Sequence, residues 1–236
     1  MIIKDVIGVK EVSEYMQQDV SNFKAYRDQK QTEADQALHE LYESYFSWLE
    51  KNTNLREKVR AKHIFKEKTD MHPDKLNETS WLLQFEHWFA FDYVTVIGSR
   101  MFDLFVRKNQ GYMTKKMLEL SGLIMTSAIQ PFQTTVQERE RGFVKGIDPV
   151  TGVKLTVYSL DYWLPLGDLQ EGEYSLLRYI RCGFRDTLIA PPVPIKKDKQ
   201  AFVIQQMKEQ HGLHESLQWL RFLKEGGVSY LAYMKG

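Results

Sequence analysis

An aspartate at the end of a long aromatic run is the residue whose setting most directly suggests chemistry. Asp92 follows the segment Trp81–Phe91, the most apolar and aromatic stretch of the chain. A carboxylate beside so much apolar surface has to be paired, hydrogen-bonded or protonated. Asp92 is therefore a candidate catalytic or ligand-binding acid with a raised pKa. The structural alternative is that it caps the following turn or pairs with an arginine such as Arg100.

Two histidines near the end of the sequence have a spacing that would suit a metal ion. His211 and His214 are three residues apart, so on a continuous helix they would share one face and bind a divalent cation. Their order differs from the His-Glu-x-x-His motif of zinc proteases, and Gly212 interrupts the pattern. The single cysteine, Cys182, excludes a cysteine-based zinc site, and its alternation with Ile180 predicts a buried thiol. The sequence predicts no cofactor.

Cationic and aromatic residues recur together between residues 126 and 194. Small barrels that bind single-stranded nucleic acid combine a cationic groove with rings on which bases stack. Acidic residues in the same region dilute the charge, so the pattern is also compatible with an ordinary surface. The candidate binding residues are Arg139, Arg141, Lys145, Arg178, Tyr179, Arg181, Arg185 and Trp163.

Residues 51–68 form the clearest local excess of positive charge, with seven lysines and arginines against two glutamates. The pattern predicts a helix with Leu55, Val59 and Ile64 facing inward. Its outer face is either a solvated surface with ion pairs along the helix or a surface for phosphates or an acidic partner.

The spacing of apolar residues divides the chain into three regions. Residues 1–125 have helical periodicity: an amphipathic helix over 1–31, a second helix over 33–51 with Thr32 as its N-cap, and a buried aromatic helix around Trp81–Tyr93. Residues 126–194 are β-like, with a hairpin turn at Asp148–Gly152 and a strand over Tyr174–Cys182. Residues 195–236 return to helical periodicity. The predicted fold is α+β: an N-terminal helical bundle, a small antiparallel β barrel or curled sheet, and C-terminal helices.

A resemblance to a known family supports this arrangement. The run Glu86–Tyr93 is followed by Gly98 and then by Met101–Phe105, ahead of a hairpin at Asp148–Gly152 and a turn at Leu164–Asp168. Over residues 80–182 the chain resembles a family of poorly characterised bacterial proteins, some of which carry a C-terminal SEC-C-type zinc motif. The cysteines of that motif are absent here, so the resemblance implies the architecture and no zinc site or activity.

Composition narrows the class of protein further. The net charge is +1 over 236 residues, no charge-free segment reaches the length of a membrane span, and the N-terminus lacks the apolar core of a signal peptide. We therefore expect a cytoplasmic protein that does not bind membranes. The glycine-rich motifs of nucleotide sites and the Gly-x-Ser-x-Gly elbow of hydrolases are also missing.

These observations favour a non-enzymatic protein-binding or adaptor function, because many large aromatics could line a groove for another protein. The first alternative is a nucleic-acid-binding module that uses the β region and the basic helix 51–68. The second is an enzyme with a carboxylate site near Asp92. The oligomeric state cannot be inferred from the sequence.

Overall fold

The computed structural model describes residues 4–160, 166–167, 169–214 and 216–235, with side chains from residue 22 onward and without that of residue 73. These residues confirm the α+β class: seven α-helices accompany one curled seven-stranded sheet. The helices are α1 (Lys4–Asn52), α2 (Leu55–Thr69), α3 (Thr79–Phe91), α4 (Met101–Asn109), α5 (Lys115–Thr126), α6 (Gln200–Gly212) and α7 (Trp219–Gly226). The strands are β1 (Gln130–Glu138), β2 (Phe143–Ile147), β3 (Lys154–Tyr158), β4 (Tyr174–Leu177), β5 (Tyr179–Cys182), β6 (Arg185–Leu188) and β7 (Val193–Pro194).

Helix α1 is continuous where the sequence predicted two helices. Thr32 was expected to cap a new helix, and that prediction is wrong: its hydroxyl donates to the carbonyl of Asp28, one turn earlier, at 3.0 Å. A threonine inside a helix can satisfy its hydroxyl in this way without interrupting the backbone ladder. The second half of α1 packs on the rest of the protein, with Leu38, Leu41 and Tyr45 fully buried.

Helix α2 presents a different face to the core from the one predicted. Leu55 and Val59 were expected to face inward, yet they are 76% and 47% exposed, and Ile64 is partly buried. The buried side chains are Ala61, Phe65 and Thr69. The large ring of Phe65 favours this orientation, because it packs against the aromatic rings of Trp81, Phe85 and Trp88 in α3.

Helix α3 is buried on most sides, as the aromatic run predicted. Phe85, Phe89 and Phe91 are at most 1% exposed, and Trp81 and Trp88 are also buried. Glu78 is the N-cap residue of this helix. The rings of α3 contact aromatic side chains of α1, α2 and α4, so this helix lies at the centre of the helical part of the core.

The sheet has the strand order β5-β6-β3-β2-β1-β4-β7. The predicted hairpin is confirmed: β2 and β3 pair from Phe143↔Tyr158 to Ile147↔Lys154, and the carboxylate of Asp148 accepts from the backbone N–H groups of Val150 and Thr151. The sheet is mostly antiparallel, but β3 and β6 pair in parallel. That parallel pair places the end of β3 beside β6, facing α1.

The segment Tyr174–Cys182 forms two strands rather than the single strand predicted. β4 pairs with β1 and β7, whereas β5 pairs with β6 on the other side of the sheet. The change of partner occurs at Arg178, which belongs to neither strand. Its guanidinium is enclosed in the protein interior.

Residues of all three predicted regions contribute to one cluster of buried apolar side chains, including Tyr45, Val144 and Leu223. The turn predicted at Leu164–Asp168 lies mostly outside the described residues. In the part of the chain that is described, no helix combines the length and apolar character needed to cross a bilayer.

Candidate functional site: a groove between helix α1 and the sheet

Asp92 lies in a buried ionic cluster with two cations. Its carboxylate forms ion pairs with Arg178 and, at 3.1 Å, with the ammonium group of Lys224. All three side chains are at most 7% exposed. The predicted pairing of Asp92 with an arginine is confirmed, but the arginine is Arg178, between β4 and β5, and not Arg100.

Both cations of the cluster also satisfy carbonyl groups at the ends of helices. Lys224 donates to the carbonyl of Phe91 at 3.0 Å, and Arg178 donates to the carbonyl of Ser127, after α5, at the same distance. Helix C-termini carry partial negative charge, which favours cations there. The cluster thus joins α3, α5, α7 and the sheet.

The cluster carries one more positive charge than it can pair with Asp92. Burial lowers the pKa of Lys224 to about 8, with Arg178 and Arg100 acting in the same direction and Asp92 opposing them. Asp92 lines neither of the cavities at α1 and the sheet described below, nor the cavities on α2 and beside α6. Its buried ion pairs explain how the helices are held on the sheet.

A different part of the molecule has the shape of a binding site. Two cavities lie where α1 passes over β3 and β6, and both are lined by Tyr158 and Arg185. The inner cavity, of about 680 Å³, also contacts Asp35, His39 and Thr187. The outer cavity, of about 570 Å³, extends along α1 to Lys24. Because they share two side chains, we treat them as one feature, the α1–sheet groove.

The α1–sheet groove is cationic. Among the described residues, six lysines and arginines line it against three aspartates. The cations are Lys24, Arg27, Arg141, Lys154, Arg181 and Arg185, and the carboxylates are Asp28, Asp35 and Asp186. The groove follows α1 from Lys24 to His39, which is about 22 Å at 1.5 Å per residue.

Two aromatic rings also line the groove, each beneath an arginine. The guanidinium of Arg185 lies 4.8 Å from the ring centroid of Tyr158, and that of Arg27 lies 5.0 Å from that of Phe184. Phe184 is 43% exposed. Guanidinium groups on ring faces are favourable in themselves, and both surfaces can stack on a planar ligand.

Gln31 holds α1 against the turn between β5 and β6. Its side-chain amide donates to the carbonyl of Cys182 at 3.1 Å and accepts from the backbone N–H of Phe184 at 2.8 Å. The turn residue Gly183 has φ +60, and a Cβ there would lie 2.8 Å from the Gln31 amide oxygen. This close approach needs a glycine and fixes the width of the groove.

The predicted burial of Cys182 is confirmed, and its thiol faces α1. Sγ lies 3.8 Å from the Asp35 carboxylate, and burial raises the pKa of the thiol to about 12. The thiol is therefore neutral and lies behind the groove, against Asp35 of α1. Burial also raises the pKa of the neighbouring Asp35 carboxyl group.

Three of the predicted binding residues meet in the groove. Arg141 lines the inner cavity, Arg181 the outer cavity, and Arg185 both. Arg181 is also paired with Asp186, at 2.9 Å. Arg139 and Lys145 lie nearby without lining either cavity: Arg139 precedes Arg141 in the turn after β1, and the ammonium of Lys145 lies over Phe143, the β2 partner of Tyr158.

The other predicted binding residues lie elsewhere. Arg178 is 2% exposed and belongs to the buried ionic cluster, so a surface ligand cannot reach it. The Tyr179 hydroxyl donates to Gln130 at 3.4 Å, and burial raises the pKa of this tyrosine. Tyr179 alternates onto the opposite face of β5 from Cys182. Trp163 lies outside the described residues.

The basic helix predicted at 51–68 does not line the groove. Within α2, Lys58 pairs with Glu86 of α3 at 2.9 Å, and Arg60 donates to the hydroxyl of Tyr93 at 2.7 Å. Two of its cations therefore help to attach α2 to α3 and to the chain that follows α3. No residue of α2 lines either cavity of the groove.

The two candidate metal ligands have other contacts. Nε2 of His211 lies 2.9 Å from the carbonyl oxygen of Leu217, and the His211 ring packs on Trp219 and Phe222. His214 follows the end of α6 and also contacts the ring of Phe222. Among the described residues, no group of three or more potential metal ligands converges on one point.

Sequence reasoning missed the contribution of α1 to the site. The sequence offered no reason to separate four residues from the rest of the polar side of a helix: Lys24, Arg27, Asp35 and His39. Thr187 was likewise only one residue of a short predicted strand. A spacing signal did exist, because residues 24, 28, 31, 35 and 39 recur every three or four positions and so share one face of α1. Which structure that face covers is decided by tertiary packing.

No model of a known protein family matches the chain, and no curated protein or solved structure matches it significantly. The resemblance of residues 80–182 to the SEC-C-bearing bacterial family therefore stays a prediction from the sequence.

Proposed function

We propose that this protein binds single-stranded nucleic acid in the α1–sheet groove and does so without catalysing a reaction. The observation that carries the proposal is the union of the two cavities at Tyr158 and Arg185, which makes a cationic groove with rings along its floor. A nucleic-acid strand presents the matching features, a row of phosphates and a row of flat bases.

The charges in the groove are available for such a ligand. Lys24, Arg141 and Lys154 are exposed and make no ion pair or hydrogen bond with the described residues, so phosphates need not displace an existing partner. Each phosphate neutralised by a lysine or arginine releases counterions, which makes binding weaken steeply with salt. Stacking on Phe184 and Tyr158 would add affinity for any base.

A protein partner is the second candidate function. The aromatic run that first suggested a protein partner is buried in the core as helix α3, so its rings do not line a groove. A different observation now supports it: Phe23 and Tyr26 of α1 are 66% and 54% exposed beside the outer cavity. Aromatic side chains of this kind anchor protein interfaces. The carboxylate that suggested an enzyme is buried and paired with Arg178 and Lys224, which favours a structural role for Asp92.

The first test measures binding of a fluorescently labelled, mixed-sequence single-stranded RNA by anisotropy, with a duplex DNA of matching length beside it. We expect the single strand to bind more tightly than the duplex, with affinity falling at least about tenfold between roughly 50 and 200 mM salt. Absence of binding at the lower salt concentration would overturn the proposal.

Matched variants locate the binding surface. Lys154→Ala removes an exposed cation from the groove, and Arg56→Ala removes an exposed cation from α2. We expect Lys154→Ala to weaken binding and to reduce the slope of log affinity against log salt by about one, and Arg56→Ala to do neither. Equal losses in both variants would place the strand on α2 or on no defined surface.

A further inference from the structure

The inner cavity holds polar groups that the protein itself leaves without partners. Thr187 is 1% exposed and lines the cavity, yet its hydroxyl has no hydrogen-bond partner among the described residues. Buried hydroxyls are nearly always satisfied in native proteins, because an unpaired one loses its hydration without compensation. A ligand that hydrogen-bonds this group in the cavity would restore the lost interaction.

The carboxylate of Asp35 is only partly satisfied. Its Oδ1 atom accepts hydrogen bonds from the side-chain amide of Gln31 at 2.7 Å and from the thiol of Cys182 at 3.8 Å. Its Oδ2 atom accepts no hydrogen bond from the described residues. A carboxylate has about four acceptor positions, and the two on Oδ2 are open, so Asp35 can still accept two hydrogen bonds from a ligand.

Two arginines supply the positive charge of the inner cavity. Arg141 makes no ion pair or hydrogen bond with the described residues, and Arg185 lies over the ring of Tyr158. A guanidinium binds phosphate oxygens with paired hydrogen bonds. The cavity volume of about 680 Å³ falls within the range usual for sites that bind small organic ligands.

We propose that the inner cavity is a nucleotide subsite selective for guanine, in which Arg141 and Arg185 bind the phosphate and Asp35 accepts hydrogen bonds from the base. Guanine alone among the four common RNA bases presents two adjacent donors, N1–H and the 2-amino group, on its Watson–Crick edge. One carboxylate pairs with both. Adenine, cytosine and uracil each place an acceptor beside their donor, and that acceptor would face the carboxylate and be repelled.

This inference deepens the proposed function, since the subsite is one end of the same groove. The remaining groups of the cavity suit the same ligand: the hydroxyl of Thr187 can bond the sugar or base, and the ring of Tyr158 gives an apolar wall. Reading a base edge by hydrogen bonds beside a stacking surface is the usual way in which proteins recognise unpaired RNA bases.

Isothermal titration calorimetry on the full chain tests the subsite directly. The probes are GMP, AMP, CMP and UMP, with inorganic phosphate as a fifth ligand. We expect GMP to bind at least about tenfold more tightly than the other three nucleotides, which is the discrimination typical of a base contact made by two hydrogen bonds. Equal affinities for the four nucleotides would overturn the selectivity, and no binding of any would overturn the subsite.

Two aspartates of α1 provide a matched pair of variants. Asp35→Asn replaces an acceptor by an amide in the inner cavity, and Asp28→Asn makes the same change in the outer cavity. We expect Asp35→Asn to lose the preference for GMP while phosphate binding is kept or improved, and Asp28→Asn to keep the preference. A preference for GMP that survives Asp35→Asn would contradict the role given to Asp35.

Thr187→Val provides a test that misfolding cannot mimic. Valine has nearly the shape of threonine and leaves no unpaired hydroxyl, so we expect the variant to melt at an equal or higher temperature than the wild type. At the same time it should bind GMP several-fold more weakly. Unchanged GMP affinity would show that the hydroxyl does not meet the ligand.

The outcomes separate the subsite from the proposed function. Binding of the RNA strand without any preference among the mononucleotides overturns the subsite and leaves nucleic-acid binding in place. Binding of GMP without binding of the strand supports the subsite and overturns the proposed function. An RNA whose affinity rises with its guanine content, and which GMP displaces, supports both.

Discussion

The buried ammonium group of Lys224 makes the stability of this protein depend on pH in a way that one substitution can isolate. The side chain lies against Asp92 and Arg178, with its charge removed from water. We consider Lys224→Met, because methionine has a similar length and flexibility and carries no charge. The pair of Asp92 and Arg178 then remains, and it is balanced in charge.

The pKa of Lys224 falls from 10.5 in the unfolded chain to about 8 in the folded protein. That difference corresponds to about 3 kcal/mol of unfavourable free energy for keeping this group charged in the fold. The penalty is complete below about pH 8 and disappears above about 10.5, so this group makes the wild type more stable as the pH rises. Between about pH 7.5 and 9.5 the linkage relation gives a gain of about 2 kcal/mol.

Urea denaturation of the wild type and of Lys224→Met at those two pH values measures the effect. We expect the free energy of unfolding of the wild type, relative to the variant, to rise by about 2 kcal/mol at the higher pH. Other groups that titrate in this range, such as the Cys182 thiol, are present in both proteins and cancel in the comparison. Remaining below pH 10 avoids the ionisation of most tyrosines.

The control is Lys208→Met, which removes an exposed lysine of α6. We expect the free energy of unfolding of this variant to follow that of the wild type at both pH values. If the difference between the wild type and Lys224→Met does not change with pH, or changes in the opposite direction, the account of a desolvated ammonium in the cluster is wrong.

Three further predictions concern stability and reactivity. Gly183→Ala should lower the free energy of unfolding by about 2–3 kcal/mol in urea titrations, because an alanine in the left-handed conformation is strained and its Cβ displaces the Gln31 amide. The control Gly212→Ala should leave the free energy of unfolding unchanged or higher, because a Cβ at that position meets open space. Asp92→Ala should lower it by about 3–5 kcal/mol by leaving two buried cations without their carboxylate, and a loss below 1 kcal/mol would contradict the cluster. Cys182 should resist iodoacetamide at neutral pH until urea unfolds the protein, as followed by mass spectrometry, since its thiol is buried and neutral; rapid labelling of the native protein would contradict this.

The sequence predicted best the features that short segments specify by themselves. The hairpin at Asp148–Gly152 forms because the aspartate side chain bonds the turn amides whatever the rest of the chain does. The aromatic run of α3 is buried because so many large rings leave little polar surface to face water. Both conclusions needed only neighbouring residues.

The errors arose where tertiary contacts choose between local possibilities. Thr32 is as good an N-cap as it is a helix-interior residue, and packing of α1 on the sheet selects the continuous helix. In α2, periodicity alone could not tell whether Leu55 and Val59 or Ala61 and Phe65 face the core. Arg178 read as a surface cation because the partner that buries it, Asp92, lies 86 residues earlier.

The candidate site was predicted in part for the same reason. Arg141, Arg181 and Arg185 lie within one β region, so their grouping was visible in the sequence. The opposite wall of the groove comes from α1, more than 100 residues away, and depends on the contact of Gln31 with the turn at Gly183. A pattern along the chain does not contain that contact.

Ultraviolet crosslinking of a mixed-sequence single-stranded RNA to the protein, followed by mass spectrometry of the crosslinked peptides, tests the central claim most directly. The account predicts crosslinks in two segments that are distant in sequence, residues 24–39 of α1 and residues 153–187, with Tyr158 and Phe184 as the favoured sites. Crosslinks confined to residues 51–68, or spread evenly over the surface, would contradict binding in the α1–sheet groove.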